Sequence, residues 1–285
     1  MALGNDESGQ PSEALRDQVR RELSRYLGTP ADSIDIPVNV DKYYVDHVCS
    51  RDNSSVREIF QIMWDLNEAG LRDPTLGTTR RSAITLSRAL GLIVGDLLEI
   101  CRSRPLQYTE LGPEPSKTKV ILRQLLEGGA NVRRYTSVDI NPTSREAMRE
   151  EISELIPSNV IDSRQVLFDQ LHRTDYRLSG MMNVVTMLGF EEGNEHPEVV
   201  ASMLERLLRP GDVVLSEMQL LSPGGWMPIF NFYHTSLMRR FSQLILKRYM
   251  PDVESDYAVY LVPAIVGGSS VPSMIAVTAE KISAN

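Results

Sequence analysis

The chain has 285 residues, 42% of them hydrophobic and 24% charged, which suffices for a full core in one large domain or a domain with an appendage. Its formal net charge of −8 argues against nucleic acid or an anionic membrane as the main partner, since both select basic surfaces. No run approaches the ~18 apolar residues of a membrane span, and the first residues lack a signal-peptide layout.

Residues 1–10 are polar and read as a disordered tail. Residues 11–105 read as a mainly helical region that forms part of the substrate site. Its best amphipathic runs are Ser54 to Leu66 and Arg80 to Cys101, with Leu86, Leu90, Ile93, Val94 and Leu97 on one apolar face of the second. Gly70 to Thr79, with Pro74 and Gly77, reads as a loop between them. Cys49 and Cys101 lie far apart with no pairing pattern, so reduced thiols and a cytoplasmic location are expected. The four histidines show no metal-ligand spacing, and no metal site is expected.

Residues 106–218 alternate strand and helix patterns. Strands are expected near 107–111, 135–140, 165–168, 182–188 and 212–218, and helices near 115–127, 142–155 and 196–208. Residues 219–256 interrupt this alternation with Ser222-Pro223-Gly224-Gly225 and an aromatic, methionine-rich segment from Trp226 to Tyr249. On a single helical wheel Phe230, Tyr233, Leu237, Phe241 and Leu244 share a stripe, while Phe232 and Met238 fall off it. The segment therefore reads as a lid, or as a docking surface for a second copy or a dedicated partner subunit. Residues 257–285 supply two last strands, from Tyr257 and from Ser273.

The stretch from Leu106 to Gln170 carries the chemistry. Gln107 to Leu111 reads as a strand ending in the turn Gly112-Pro113-Glu114-Pro115, followed by a helix and a second strand that ends at Asp139. A strand, a glycine turn, a helix and an acid at the next strand end about 20–30 residues on is an arrangement that binds an adenine nucleoside. The glycine admits close backbone approach, and the acid accepts hydrogen bonds from a ribose diol. A pyrophosphate needs amide N–H groups at the helix start, whereas this turn offers two prolines and a carboxylate. Glu110 and Glu114 suit a sulfonium and an amino group instead, which points to S-adenosylmethionine. The expected fold is α/β: a Rossmann-like, seven-stranded class I methyltransferase sheet, with an N-terminal helical region and a short insertion late in the chain.

Several motifs extend this reading. Glu110-Leu111-Gly112 with Ser116-Lys117-Thr118, Ser137-Val138-Asp139, Phe168-Asp169, and Leu188-Gly189 followed by Gly193-Asn194 resemble the histidine-specific Nα-methyltransferases of ergothioneine biosynthesis. Lys42 to Asp46 and Thr78 to Arg81 are similar to that family's Lys-x-x-Tyr-Asp and Thr-Arg-Thr-Glu segments, so the resemblance covers roughly residues 40 to 220. It implies that Glu110, Gly112 and Lys117 hold the methionine end of the cofactor, Lys117 through its carboxylate. Asp139 takes the ribose, Phe168 with Asp169 flanks the adenine, Leu188 is a further cofactor-binding position, and Asn194 binds the substrate's amino or carboxylate group.

The departures bear on the substrate. The family's second glycine is Glu114 here, its substrate tyrosine falls on Val45 beside Tyr44, and its tyrosine loop is replaced by Asn67 to Pro74. The cofactor half is thus partly retained and the histidine-reading half is not. Tyr44, Asn194, Glu191 and Glu217 are the candidates for handling the substrate; Glu191 and Glu192 read as acceptors of a cationic amine, as metal ligands or simply as solvated acids. The expected activity is methyl transfer to a small amine or amino-acid-like metabolite in secondary metabolism, such as antibiotic biosynthesis. The alternative is a methyltransferase fold that no longer transfers methyl, using the cofactor for another reaction such as intramolecular amine alkylation, or serving as one subunit of a complex.

Overall fold

The structure is a computed structural model that describes residues 15–37, 44–45, 48–49, 54–73, 84–102, 104–189, 197–218, 225–266 and 269–282. Two compact units emerge from it: Tyr43–Glu191 with Met203–Pro228, and Met1–Lys42 with Glu192–Ser202 and Ile229–Asn285.

The first unit is built on a five-stranded parallel sheet. After α1 (Leu15–Leu27), which belongs to the other unit, its elements in chain order are the two-residue strands β1 (Tyr44–Val45) and β2 (Val48–Cys49), α2 (Ser54–Arg72) and α3 (Leu86–Cys101). Then come β3 (Leu106–Leu111), α4 (Pro115–Glu127), β4 (Val132–Val138), α5 (Pro142–Ser153), β5 (Ile161–Arg164), α6 (Arg173–Tyr176), β6 (Met182–Met187), the later part of α7 (Pro197–Leu207), whose residues up to Ser202 fall in the other unit, and β7 (Val213–Ser216). The strand order is β5-β4-β3-β6-β7, so the chain winds outward on one side of β3 and then crosses to the other. The junction of β3 and β6 is therefore the topological switch point, where ligands of open α/β sheets bind at the carboxyl ends of the strands.

The central strands are mostly apolar on one face, with Glu110 near its carboxyl end, and carry a bonded polar network on the other. Tyr108 and Tyr135 stack with ring centroids 5.8 Å apart, beneath a core of Leu97 from α3, Ile121 and Leu125 from α4, and Met148 from α5. On the opposite face Thr109 donates to Asn183 Oδ1 at 2.9 Å, and Gln107 donates to the Tyr176 carbonyl at 3.1 Å. All six residues of β3 and of β6 are buried, as strands covered on both faces require. Arg177 makes a two-pronged, buried ion pair with Asp212, which also accepts from the Asn183 amide at 3.0 Å and so pins β6 to the turn before β7.

The second unit joins α1 to the late elements α8 (Met227–Tyr233), α9 (Ser236–Tyr249), β8 (Ser255–Ala264) and β9 (Ser273–Ile282). Here the seven-stranded expectation is corrected. β8 and β9 pair with each other along their whole length, Ser255 opposite Ile282 through Ala264 opposite Ser273, as a separate antiparallel hairpin. Ten residues against ten satisfy each strand's inner edge, and α1 and α9 pack against the hairpin. The Gln18 side chain fastens α1 by hydrogen bonds to both main-chain groups of Ile265, at 3.1 and 2.9 Å.

Other expectations shift by physical causes that can be named. The third strand lies at Ile161–Arg164 rather than near 165–168, because Ile161, not Val166, supplies the buried side chain opposite Tyr135. The second long helix starts at Leu86, where the Thr85 side chain accepts from the Arg88 amide. The helix begun at Ser54 continues through Gly70 to Arg72, past the expected loop start, while 74–83 fall outside the described residues. The aromatic segment is two helices, not one: Thr235 caps α9 by accepting from the Met238 amide. That break invalidates the single wheel, and Met238, which the wheel left off the stripe, is the buried residue of α9. Among the described residues no helix is long and apolar enough to cross a membrane.

Candidate active site

Register places four positions side by side at the carboxyl edge of the sheet. Leu111 pairs with Val138 and with Met187, and Met187 pairs with Ser216, so Gly112, Asp139, Leu188 and Glu217 are the next residues on adjacent strands. The ladder persists one step beyond: the Gly112 amide donates to the Val138 carbonyl at 3.0 Å and the Glu217 amide to the Met187 carbonyl at 3.0 Å. Gly112 has φ +68°, a left-handed conformation that a side chain would strain, which explains the glycine at this turn.

Glu114 departs from a glycine-rich turn for a structural reason. It is the N-cap of α4, and its carboxylate accepts from the amides of Ser116 at 2.9 Å and Lys117 at 2.6 Å. Those N–H groups are the ones a phosphate would use, so the turn is closed to phosphate. Burial pushes the Glu114 carboxyl up, against the pull of Lys117 and the two amides.

Glu110 is fully buried. Its Oε2 lies 2.5 Å from Thr118 Oγ1 and accepts from Tyr135 Oη at 3.0 Å, while Oε1 has no hydrogen-bond partner. Burial raises its pKa to about 8, opposed by the Thr118 hydrogen bond and reinforced by the nearby Glu114 charge. Lys117, 3% exposed, forms an ion pair with Glu217, whose Oε2 also accepts from the Gly189 amide at 2.8 Å. Gly189 has φ +86°, and a Cβ built on it would stand 4.0 Å from Oδ1 of Asn67 on α2.

The remaining positions are less tightly engaged. Asp139 is half-buried, and its Oδ1 accepts from the Asn141 amide at 2.9 Å in the turn that starts α5. Phe168 is half-buried in a 3-10 turn; Asp169 is exposed there, its carbonyl accepting from Arg206 at 3.0 Å. Leu188 is 3% exposed and packs in the core, leaving its main chain to the site. Tyr44 lies in β1, opposite Cys49. Glu191 and Asn194 lie outside the described residues. Among the described residues no cluster of His, Cys, Asp and Glu could hold a metal ion.

The structure thus brings Glu110, Gly112, Lys117 and Glu217 into one cluster, with Asp139 one strand away. Sequence reasoning missed Thr118 and Tyr135 as the partners of Glu110. Thr118 carried a signal, since it stands four residues after the capping Glu114 in the first turn of the helix.

No protein-family profile and no curated protein matches the chain. Solved structures similar to it include a putative S-adenosylmethionine-dependent methyltransferase from Methanococcus maripaludis, with 10% identity, TM-score 0.40, and coverage of 85% of this chain and 99% of that one. Another is an O-methyltransferase of tomaymycin synthesis from Streptomyces achromogenes, in complex with S-adenosylmethionine, with 14% identity, TM-score 0.36 and coverage of 86% and 96%. A Podospora anserina methyltransferase bound to S-adenosylhomocysteine has 12% identity, TM-score 0.35 and coverage of 73% and 84%. None of them singles out the histidine-specific Nα-methyltransferases. Likeness at these scores assigns no reaction to this chain.

Proposed function

We propose that the chain binds S-adenosylmethionine and transfers its methyl group to a small amine or amino-acid-like metabolite of secondary metabolism. One observation carries this reading: two buried carboxyl groups, Glu110 and Glu114, flank the left-handed Gly112 turn at the tip of the central strand, beside the switch point. That donor set fits a cation and repels phosphate, and the unpartnered Glu110 Oε1 is a buried acceptor for the cofactor's ammonium or sulfonium end.

The remaining roles follow from position. Asp139 holds the ribose diol, and Phe168 with Asp169 flanks the adenine. Lys117 holds the carboxylate only if its bond to Glu217 opens. The bound cofactor supplies an electrophilic methyl group on a positively charged sulfur. The protein's part is alignment, which can contribute ~7–11 kcal/mol, and a group that takes the amine's proton. Tyr44, Glu191, Asn194 and Glu217 are the proposed substrate-side groups. Histidine is not the proposed substrate, because the tyrosines with which the histidine-specific enzymes read it have no counterpart at Val45 and in Asn67 to Pro74. A cytoplasmic location is proposed from the cysteine usage, and a second copy or a small partner subunit from the aromatic segment at Trp226.

A second reading, a methyltransferase fold that transfers no methyl and serves another reaction or a complex, is favoured by the Lys117–Glu217 pair, which neutralises the lysine a cofactor carboxylate would use. Isothermal titration calorimetry with S-adenosylmethionine and its demethylated product tests the first claim: both should bind, and a folded protein that binds neither overturns it. Labelled-methyl transfer to a panel of small amines, run with the binding-competent protein, separates the two readings.

A further inference from the structure

The acids and bases at this end of the sheet do not balance. Glu114 is satisfied by two α4 amides, and the positive charge of Lys117 is neutralised by Glu217. Among the described residues Glu110 is left with two hydroxyl partners, those of Thr118 and Tyr135, and no ion pair, the Lys117 charge favouring its ionised form only weakly. An ionised carboxylate, fully buried and without a charge partner, costs several kcal/mol.

Thr118 sharpens the point. Its hydroxyl has a single hydrogen, yet Oγ1 lies 2.5 Å from Glu110 Oε2 and 2.6 Å from the Glu114 carbonyl oxygen. If Glu110 were ionised, both neighbours would be acceptors and one contact would set lone pair against lone pair. With a proton on Oε2, Glu110 donates to Thr118, Thr118 donates to the Glu114 carbonyl, and Tyr135 still donates to Oε2. Every short contact is then a hydrogen bond.

We propose that Glu110 is the cation-selecting group of this site: it carries a proton in the ligand-free protein and releases it when a ligand's positive charge arrives beside it. The inference rests on the reading that a cationic cofactor binds at the Gly112 turn. The balance is simple: the carboxylic acid and a cationic ligand become a carboxylate–cation pair, and one proton passes to solvent. The titratable groups facing Glu110 are Glu114 and Lys117 from α4, Tyr135 from β4 and Tyr108 from its own strand. Burial drives both phenols well above their usual range, so neither loses a proton near neutral pH. Burial pushes Glu114 up as well, but Lys117 and two amides favour its ionised form. Glu110 has only hydroxyl partners and the Thr118 geometry that calls for a proton, which makes Glu110 the group that exchanges it.

Two measurements test this, one without ligand. Carboxyl carbon NMR of the ligand-free protein, with Glu110 assigned by its loss in Glu110→Gln, should show this group titrating far above the ordinary glutamate range. Titration in the ordinary range overturns the inference whatever the cofactor does. Calorimetry with S-adenosylmethionine at pH 6.5, in two buffers of different ionisation enthalpy, should show close to one proton released per ligand bound. Kd should fall about tenfold per pH unit between about pH 6 and 7.5, below the range in which an α-amino group titrates. Glu110→Gln, checked for fold by circular dichroism, should release no proton and bind with an affinity flat in pH. Measurable binding with no proton release overturns the inference. Absence of binding at every pH overturns the proposed function instead, and the NMR titration then decides the protonation of Glu110 by itself.

Discussion

Lys117 Nζ and the Glu217 carboxylate form an ion pair, 3% and 15% exposed, that ties the start of α4 to the end of β7. Through its bond to the Gly189 amide the same carboxylate also holds the end of β6. One acid therefore fastens the switch-point strand and the edge strand to the helix that carries the glycine turn.

Removing one partner leaves the other charge buried. Glu217→Ala should lower stability by about 3–5 kcal/mol, because Lys117 then loses its ion-pair partner, with only the amide-bound Glu114 near it, and the Gly189 amide loses its acceptor. Lys117→Met combined with Glu217→Gln keeps an acceptor for that amide and removes both charges, and should recover most of the loss. Urea unfolding of both variants checks this; a cost below about 1 kcal/mol for Glu217→Ala would mark the pair as a solvated contact.

Asp139 has a structural duty besides its proposed one. Asp139→Ala loses the acceptor of the Asn141 amide as well as any ribose contact, whereas Asp139→Asn keeps a side-chain oxygen for the turn. Both should weaken cofactor binding, by about 1.5–3 kcal/mol or more for the alanine, which is at least tenfold in Kd. Circular dichroism should be unchanged. Equal affinity for wild type and Asp139→Ala by calorimetry would remove Asp139 from the site.

Glu114 should behave as a cap. Its backbone, at φ −141° and ψ 145°, needs no glycine, so restoring a glycine there gains no turn geometry. Glu114→Ala strips the acceptor from two amides and should cost about 0.5–2 kcal/mol in urea unfolding. Glu114→Gln retains an acceptor oxygen and should cost less. If both variants are as stable as wild type, the cap is incidental and the carboxylate is there for a ligand.

How much of this was legible in the sequence differs by element. Strand ends that coincide with turn chemistry were readable: Gly112 with its positive φ, and Asn141-Pro142, where the Asn141 side chain accepts from the Thr143 amide. Strand pairing was not. Nothing in the Tyr257–Val262 or Ser273–Thr278 patterns distinguishes joining a parallel sheet from closing on each other, since alternation reports which face is covered and not which edge is paired. Charge partners were also hidden. Lys117 and Glu217 stand 100 residues apart, and only the winding of the sheet brings them together. The Thr235 cap was visible as a residue type, yet the apolar periodicity running through it from Phe230 to Leu244 suggested one continuous helix.

The protonated Glu110 has a consequence for the free protein that needs no ligand. Its pKa is raised from the ordinary carboxyl range to about 8 in the folded state, chiefly by burial, while the unfolded chain titrates near the ordinary value. Between those two values the folded state holds the proton and the unfolded state does not. Stability from this group is therefore full below the unfolded pKa and is lost as pH rises towards about 8, with a slope of at most about 1.4 kcal/mol per pH unit. Glu114, raised in the same direction, adds to the trend. The midpoint of urea unfolding should accordingly fall between pH 5 and 8, opposite to the rise expected of carboxylates held in ion pairs. Glu110→Gln is neutral at every pH and should flatten that fall while lifting stability most at pH 8. A variant whose pH profile runs parallel to that of wild type would show that Glu110 is ionised in the folded protein, and that its surroundings supply a charge partner after all.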